Sequence, residues 1–282
     1  MRQDRRDLVV VMAGDRSLHE AIAPDRTYDL WVIYYGDSEE TAKRYAASAD
    51  RVWRRKGLKI DLCRQVLLEE VLLGEGFDYS AYRYVFLPDD DIRFERGAQD
   101  VAALFVAAQA LDADVFQPAV QNEHVSFQGT RQIAGAACHT VNWVENMMPA
   151  YRSDLFRSAF LGGIHALEFL KSGWGLEIVA AKLAEVALGR GLLAYVIDAC
   201  PAIHTRPVGG NGMVHEIGRD EEFLLPQLTY NQLRAHVAFA SFEAAKAQME
   251  RPRPQPRNPN VIALYMQKVR FARKLWRNLA ER

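Results

Sequence analysis

The chain has 282 residues, 49% hydrophobic and 25% charged with a net charge of −1, an ordinary globular composition that supports one large domain or two small ones. Charge is unevenly placed: residues 251–282 carry nine Lys or Arg and one acid, leaving about −9 on residues 1–250, which argues against a general basic face for nucleic acid on the body. No stretch approaches the roughly 18 apolar residues of a membrane span, and the opening offers only the six apolar residues from Leu8 to Ala13, too few for a signal-peptide core.

In chain order, Leu8–Ala13 is a Val-rich strand ending at Gly14-Asp15, and Asp29–Tyr35 a second ending at Gly36-Asp37; each has a turn signal at its carboxyl end. Helical patterns follow at Glu39–Ser48 and Asp61–Leu73. Tyr84–Pro88 is apolar or aromatic throughout, as for a strand buried on both faces, and it delivers Asp89-Asp90-Asp91. An Ala-rich helix is expected from Ala98 to Leu111 and a strand from Asp114 to Val120. This β-α-β-α-β rhythm predicts an α/β fold with a mainly parallel sheet flanked by helices. Beyond it, residues 121–150 are rich in small and amide residues, with strand-like stretches at Arg131–Ala137 and His139–Val144. A helix at Trp174–Leu188 and a strand at Leu192–Ile197 complete a body of residues 1–250. Residues 251–260 hold four prolines and read as an extended linker. In 261–282, Ile262, Tyr265, Val269, Ala272, Trp276 and Leu279 recur at helical spacing among basic residues. Cys63, Cys138 and Cys200 lie far apart outside any CxxC spacing and suggest a reducing compartment. The expected location is cytoplasmic.

The acid triplet carries the most chemistry. On an extended segment Asp89 and Asp91 face one side and Asp90 the other. Three crowded negative charges raise the cost of ionisation, and a bound Mg²⁺ or Mn²⁺ relieves it. The competing reading is a solvated acidic turn ahead of the helix near Arg96. Ser172-Gly-Trp-Gly-Leu-Glu177 places two glycines around Trp174, a flat apolar platform, with Glu177 in the first helical turn, near the positive end of the helix dipole. That carboxylate could take a proton from an attacking hydroxyl or bind sugar hydroxyls; a helix-start acid beside a buried Trp is the plain alternative. Downstream, Tyr195–Ile197 leads to His204, whose neutral imidazole suits Mn²⁺, and to Arg206, whose fork of donors suits a diphosphate.

Strand-Asp-Asp-Asp, then Gly-Trp-Gly-Leu-Glu, then a strand-borne His together resemble glycosyltransferases of the GT-A fold. More closely, Asp89–Asp91, Val144-Glu-Asn-Met-Met-Pro149, Gly173-Trp-Gly-Leu-Glu177 and Val196-Ile-Asp…His204 resemble a plant and bacterial family catalogued as a domain of unknown function. The match spans roughly residues 8–215. Two departures stand out: Glu177 occupies that family's Asp position, and Ile178 and Val179 follow it where related inverting galactosyltransferases carry further acids. The resemblance implies a GT-A-like fold and metal-dependent transfer from a nucleotide-sugar, a UDP-sugar by family habit, to a glycan or glycolipid acceptor. Asp91 and His204 are implied as metal ligands. Asp89 is implied at the ribose or donor sugar, directly or through water, with a share in the metal site. Asp90 joins the donor-side residues, and Glu177 is the implied base of an inverting reaction.

Asp15 and Asp37 are candidates for the base or ribose, or plain turn acids. Lys59 starts a helix within reach of phosphate, or is an ordinary surface lysine. Trp174 and Glu145 are candidates for the acceptor side, Glu145 equally for a buried structural acid. Two other functions fit clustered acids: a metal-dependent phosphohydrolase or nuclease, and a non-catalytic nucleotide- or glycan-binding domain. Ala13-Gly14-Asp15-Arg16 is not GxGxxG, which argues against an NAD-dependent oxidoreductase. The basic helix of 261–282 suits either peripheral attachment to anionic lipid or packing on protein.

Overall fold

The computed structural model describes residues 5–125, 127–167, 173, 175–207 and 237–249. One sheet organises them: β1 (Arg6–Ala13), β2 (Asp29–Tyr34), β3 (Arg51–Arg54), β4 (Tyr82–Phe86), β5 (Ile92–Arg93), β6 (Val115–Val120), β7 (Cys138–Val141), β8 (Ala150–Arg152), β9 (Ala194–His204) and β10 (Ala238–Phe239). Their order is β10-β7-β9-β6-β8-β4-β1-β2-β3, with β5 paired to β9 off this path. The half β3-β2-β1-β4 is parallel, and β6 pairs β9 in parallel. Along the path only β7 and β8 run against the rest, each antiparallel to its neighbours.

The Val-rich run of β1 is buried on both faces because helices cover both. Alternation along the strand sends Leu8, Val10 and Met12 to one core and Val9, Val11 and Ala13 to the other. Helix α2 begins as Lys59–Leu62 and continues in wider, i→i+5 turns over Cys63–Gly74. It shares the first core with α4 (Ser153–Leu155, Phe156–Leu161 and Gly162–Ala166) and α5 (Leu176–Leu188). Helices α1 (Glu39–Ser48), α3 (Ala98–Ala110) and α6 (Phe242–Met249) lie against the second core. Ser38 caps α1 by accepting from the Thr41 N–H at 3.2 Å, with Glu39 and Glu40 in its first turn.

The mixed α/β sheet flanked by helices agrees with the expectation, with several departures. The edge strand β3 has no clear signal in the sequence, since Arg-Val-Trp-Arg is too short and polar to stand out. Residues 131–137 form no strand; Arg131 contributes one bridge to Val120 and the segment turns through Gly135 at φ 79°. β9 runs through Cys200 and Pro201 to His204, twice as far as its apolar stretch suggests, because β6 and β7 flank its first part while the end of β6, at Val120, and then β5 pair with its last. β4 starts two residues early and stops at Phe86, so Asp89–Asp91 are not on an extended segment. The linker and basic helix expected in 251–282 lie outside the described residues. No helix among the described residues is long and apolar enough to cross a membrane.

Candidate functional site

The two rims of the sheet treat their carboxylates differently. Where the parallel strands begin, four aspartates meet arginine, the first, second and fourth of them buried and Asp50 exposed. Asp7 is held by Arg83 at 2.7 Å, Asp29 by Arg6 at 2.6 Å, Asp50 by Arg26 at 3.0 Å, and Asp114 by Arg152 and Arg190 at 2.7 and 2.6 Å. At the opposite rim stand Asp15, Asp37, Asp89, Asp90 and Asp91, and among the described contacts none of these five bonds an arginine. That is the rim where open α/β sheets bind ligands.

The acid run is a turn held on two sides. Pro88 ends the β4 ladder, and the Ile92 N–H closes on the Asp89 carbonyl at 3.3 Å. On one side the Val144–Pro149 segment runs alongside: Pro149 O accepts from Leu87 N at 2.9 Å and Met147 O from Asp89 N at 2.8 Å. On the other, β5 pairs Ile92 with His204, and Thr205 donates to the Asp91 carbonyl from both N (3.0 Å) and Oγ1 (2.8 Å). Two motifs far apart in sequence are thereby fixed to one turn.

Asp91 and His204 meet across the β5–β9 pairing. His204 Nε2 lies 3.4 Å from Asp91 Oδ1, their side chains only 8% and 12% exposed. Asp91 Oδ1 is buried and makes no hydrogen bond among the described residues. His204 Nδ1 faces the His124 carbonyl at 3.0 Å, and His124 Nδ1 faces the His204 carbonyl at 2.9 Å. A carbonyl only accepts, so each Nδ1 donates, and in the neutral ring Nε2 of His204 turns a lone pair toward the carboxylate. Burial alone lowers the His204 pKa, but the adjoining Asp91 carboxylate and the His124 carbonyl raise it by more, so the net shift is upward. An arrangement that gathers a proton between two lone pairs suits a divalent cation too. Adjacent ligands at ~2.1 Å around an octahedral ion stand ~3 Å apart, close to the observed spacing. Among the described residues no group of three or more His, Cys, Asp or Glu converges as a ready-made cage. Were a divalent cation held here, the Asp91–His204 pair would be what the described residues bring to it, with substrate oxygens and water left to complete the shell, as is usual for Mg²⁺. This hard oxygen-plus-imidazole set fits Mn²⁺ or Mg²⁺.

Asp89 is placed differently from a metal ligand. Its Oδ1 takes the Lys59 ammonium at 2.5 Å. Burial pushes the Asp89 carboxyl up, Lys59 opposes this, and the Asp91 and Asp90 charges add to the rise. Lys59, expected at a phosphate, also donates to Leu87 O at 3.0 Å and Asn146 O at 2.7 Å, so its three protons are already directed inward. Asp90 ties the turn to the first two strands: its Oδ2 accepts from Gly14 N at 2.9 Å and Tyr35 OH at 2.8 Å. Asp15 clasps the β2–α1 loop, accepting from the Tyr34 hydroxyl and from the N–H groups of Asp37 and Ser38 at 3.2 Å. The Tyr34 bond, foremost, lowers its pKa. Asp37 stands in solvent, its side chain 92% exposed and paired with Lys56 at 2.7 Å. Arg206 is half-buried, near enough to Tyr35 to oppose the rise that burial and Asp90 impose on the phenol.

Glu145 is buried, its N–H bonded to Gln117 Oε1 at 2.6 Å and its Oε2 to Thr130 Oγ1 at 2.9 Å. Bonds to Gln117 and Thr130 suit the structural-acid alternative. Glu177 is buried in the first turn of α5, its Oε2 accepting from Gly175 N at 3.1 Å and its charge felt by Tyr151. Trp174 lies outside the described residues. Gly173, beside it, has φ 84° and packs so closely that a Cβ would overlap Asn146 and come within 2.7 Å of Ile60 Cγ1. Gly173 is thus docked against the start of α2 and the loop that holds Lys59.

Sequence reasoning missed Tyr35, Asn122, His124 and Asn146. Asn122 Nδ2 donates to the His204 carbonyl at 2.7 Å. The only advance signal was the amide-rich composition after Val120, and nothing local pairs Tyr35 with Asp90, 55 residues away.

No protein-family model matches the chain and no curated protein matches it, so the likeness to the plant and bacterial family rests on its motifs. Among solved structures, the chain is similar to the mannosyltransferase PcManGT from Pyrobaculum calidifontis in complex with GDP-Man and Mn²⁺. The identity is 12% and the TM-score 0.48, over 94% of this chain and 70% of that one. It is also similar to S. aureus TarS, residues 1–349, at 14% identity and TM-score 0.46, over 86% of this chain and 70% of that one.

Proposed function

We propose that the chain is a GT-A-like, divalent-metal-dependent glycosyltransferase that moves a sugar from a nucleotide-sugar, first of all a UDP-sugar, to a glycan or glycolipid acceptor with inversion. The observation that carries it is the Asp91–His204 pair at the rim where the parallel strands end: an unbonded buried carboxylate oxygen facing an imidazole nitrogen of fixed tautomer. When bound, Mn²⁺ or Mg²⁺ neutralises the diphosphate and makes it a better leaving group. Asp91 and His204 hold that charge in place. Asp89 offers its remaining carboxylate oxygen to the ribose or donor sugar. Asp90 and Asp15 keep the ends of β1 and β2 in register with the acid turn, so the base and ribose meet a formed rim, with Asp37 at its outer edge. Arg206 faces the diphosphate side. Trp174 supplies the acceptor platform, and Glu177 takes the acceptor hydroxyl proton on a carboxylate oxygen. Glu145 braces the segment that carries Asn146 and Met147.

Calorimetric titration of UDP, GDP, CMP and dTDP, with and without Mn²⁺, tests this. One nucleotide should bind tightly in the presence of Mn²⁺ and at least 100-fold more weakly to Asp91→Ala. Glu177→Gln should keep that binding and lose transfer. Binding of none of the four, with or without metal, sinks the transferase and moves a phosphohydrolase to the front.

A further inference from the structure

Lys59 is the first residue of α2, its side chain 16% exposed. Four acceptors surround its three ammonium protons: Asp89 Oδ1 at 2.5 Å, Asn146 O at 2.7 Å, Leu87 O at 3.0 Å and Met147 O at 3.3 Å. The carbonyls come from the two segments whose pairing builds the acid turn. The ammonium is saturated, and turning to a ligand would leave these carbonyls and a half-buried carboxylate unpaired. A divalent cation that approached Asp89 would have to displace Lys59 or sit against a like charge. Asp91 Oδ1, two residues on, has no such occupant among the described residues and faces His204. The turn thus carries two carboxylates in opposite conditions, one closed by a covalently attached cation and one open.

We propose that Lys59 is a positioning residue: its ammonium serves as a resident cation on Asp89, keeps that carboxylate out of the metal's coordination sphere, and leaves metal binding to Asp91 and His204. The proposal rests on the donor site described above. Its consequence is that free Mn²⁺ binds the protein weakly, because one of the two available carboxylates is already neutralised. Firm binding then waits for the oxygens of a diphosphate.

The test is a titration of Mn²⁺ alone into the full chain, with free ion counted by electron paramagnetic resonance and folding checked by circular dichroism. Lys59→Met releases Asp89 and should bind Mn²⁺ about tenfold more tightly than wild type, or more, since a charge within ~4–6 Å commonly shifts ionic equilibria by that much. Lys59→Arg keeps the charge and should stay near wild type. The double variant Lys59→Met/Asp89→Asn removes the pair as a neutral unit and should return to within about threefold of wild type. A residue that only braced the loop would give weaker binding in Lys59→Met. Weaker, unchanged or absent binding in folded Lys59→Met overturns the proposal. So does loss of Mn²⁺ in the double variant, which decides the matter if Lys59→Met does not fold. Binding that needs both Asp91 and Asp89 overturns this proposal and leaves the donor site standing, whereas binding indifferent to Asp91→Ala overturns the function itself.

Discussion

His19 lies under the loop that carries Asp15, 3% exposed, its Nδ1 2.7 Å from Ser17 Oγ and its ring edge-on to Tyr45. Among the described residues its buried Nε2 has no hydrogen-bond partner. Burial, then the charge of Arg44, lowers its pKa to about 4. Because the folded value is below the unfolded one of ~6.5, the unfolded chain takes up the proton first as pH falls. The folded state therefore keeps its full advantage above pH ~6.5 and loses up to ~3 kcal/mol between there and pH ~4. Urea midpoints of wild type and His19→Gln, compared from pH 7.5 to 4.5, should converge or cross by that amount; parallel curves would remove His19 as the cause. His19 does not stand out in the sequence, where a lone histidine after a turn has no signature. Asp91 and His204 were legible, because an acid run after a buried strand and a His after another are local patterns. What each touches was not legible. Lys59 reaches Asp89 across 30 residues and Asn146 across 87, and only the strand order brings those three together. Alternation also misplaced the acids, for Pro88 and the 89–92 turn end the extended chain before it can apply.

At the scale of elements, the Gly-Trp-Gly motif has a conformational reason at its first glycine. Gly173 needs a left-handed φ and a close approach to Ile60 and Asn146. Gly173→Ala should cost roughly 2–4 kcal/mol, from a left-handed residue together with overpacking. Gly135 also has positive φ, at 79°, and a Cβ added there would meet nothing within 4 Å, so Gly135→Ala isolates the conformational part at about 1–2 kcal/mol. Equal losses of thermal stability in the two variants would contradict the packing argument. β1, β2, α1 and α3 could be read almost to the residue, since each is a short apolar run or helix closed by its own turn or cap. β3 and the far half of β9 could not. An edge strand rich in arginine and a strand that crosses Pro201 are both held by their neighbours, and propensity reports little of that.

At the scale of the molecule, the chain's charge divides between an acidic body and residues 251–282. If the helix expected from the sequence in 261–282 packs on protein, the full chain should stay below anionic vesicles in a flotation gradient, and removing 251–282 should lower the melting temperature by several degrees. Flotation that disappears with the deletion would make the segment a lipid anchor instead. Parallel strands give the sheet direction, and the carboxylates follow it. Asp7, Asp29, Asp50 and Asp114 are fastened to guanidinium groups that stay charged at every biological pH. The five aspartates at the other rim are held by phenols, backbone N–H groups, lysines or an imidazole. The two rims consequently answer to different selection. Substitution of the buried Asp7 or Asp114 leaves half-buried arginines without their partner and is removed through loss of folded protein, whatever the reaction. At the second rim the exposed Asp37 can exchange its side chain at little cost in folding, whereas Asp89, Asp90 and Asp91 join separate segments, so drift toward new substrates falls on the outer edge while the rest keeps the same fold.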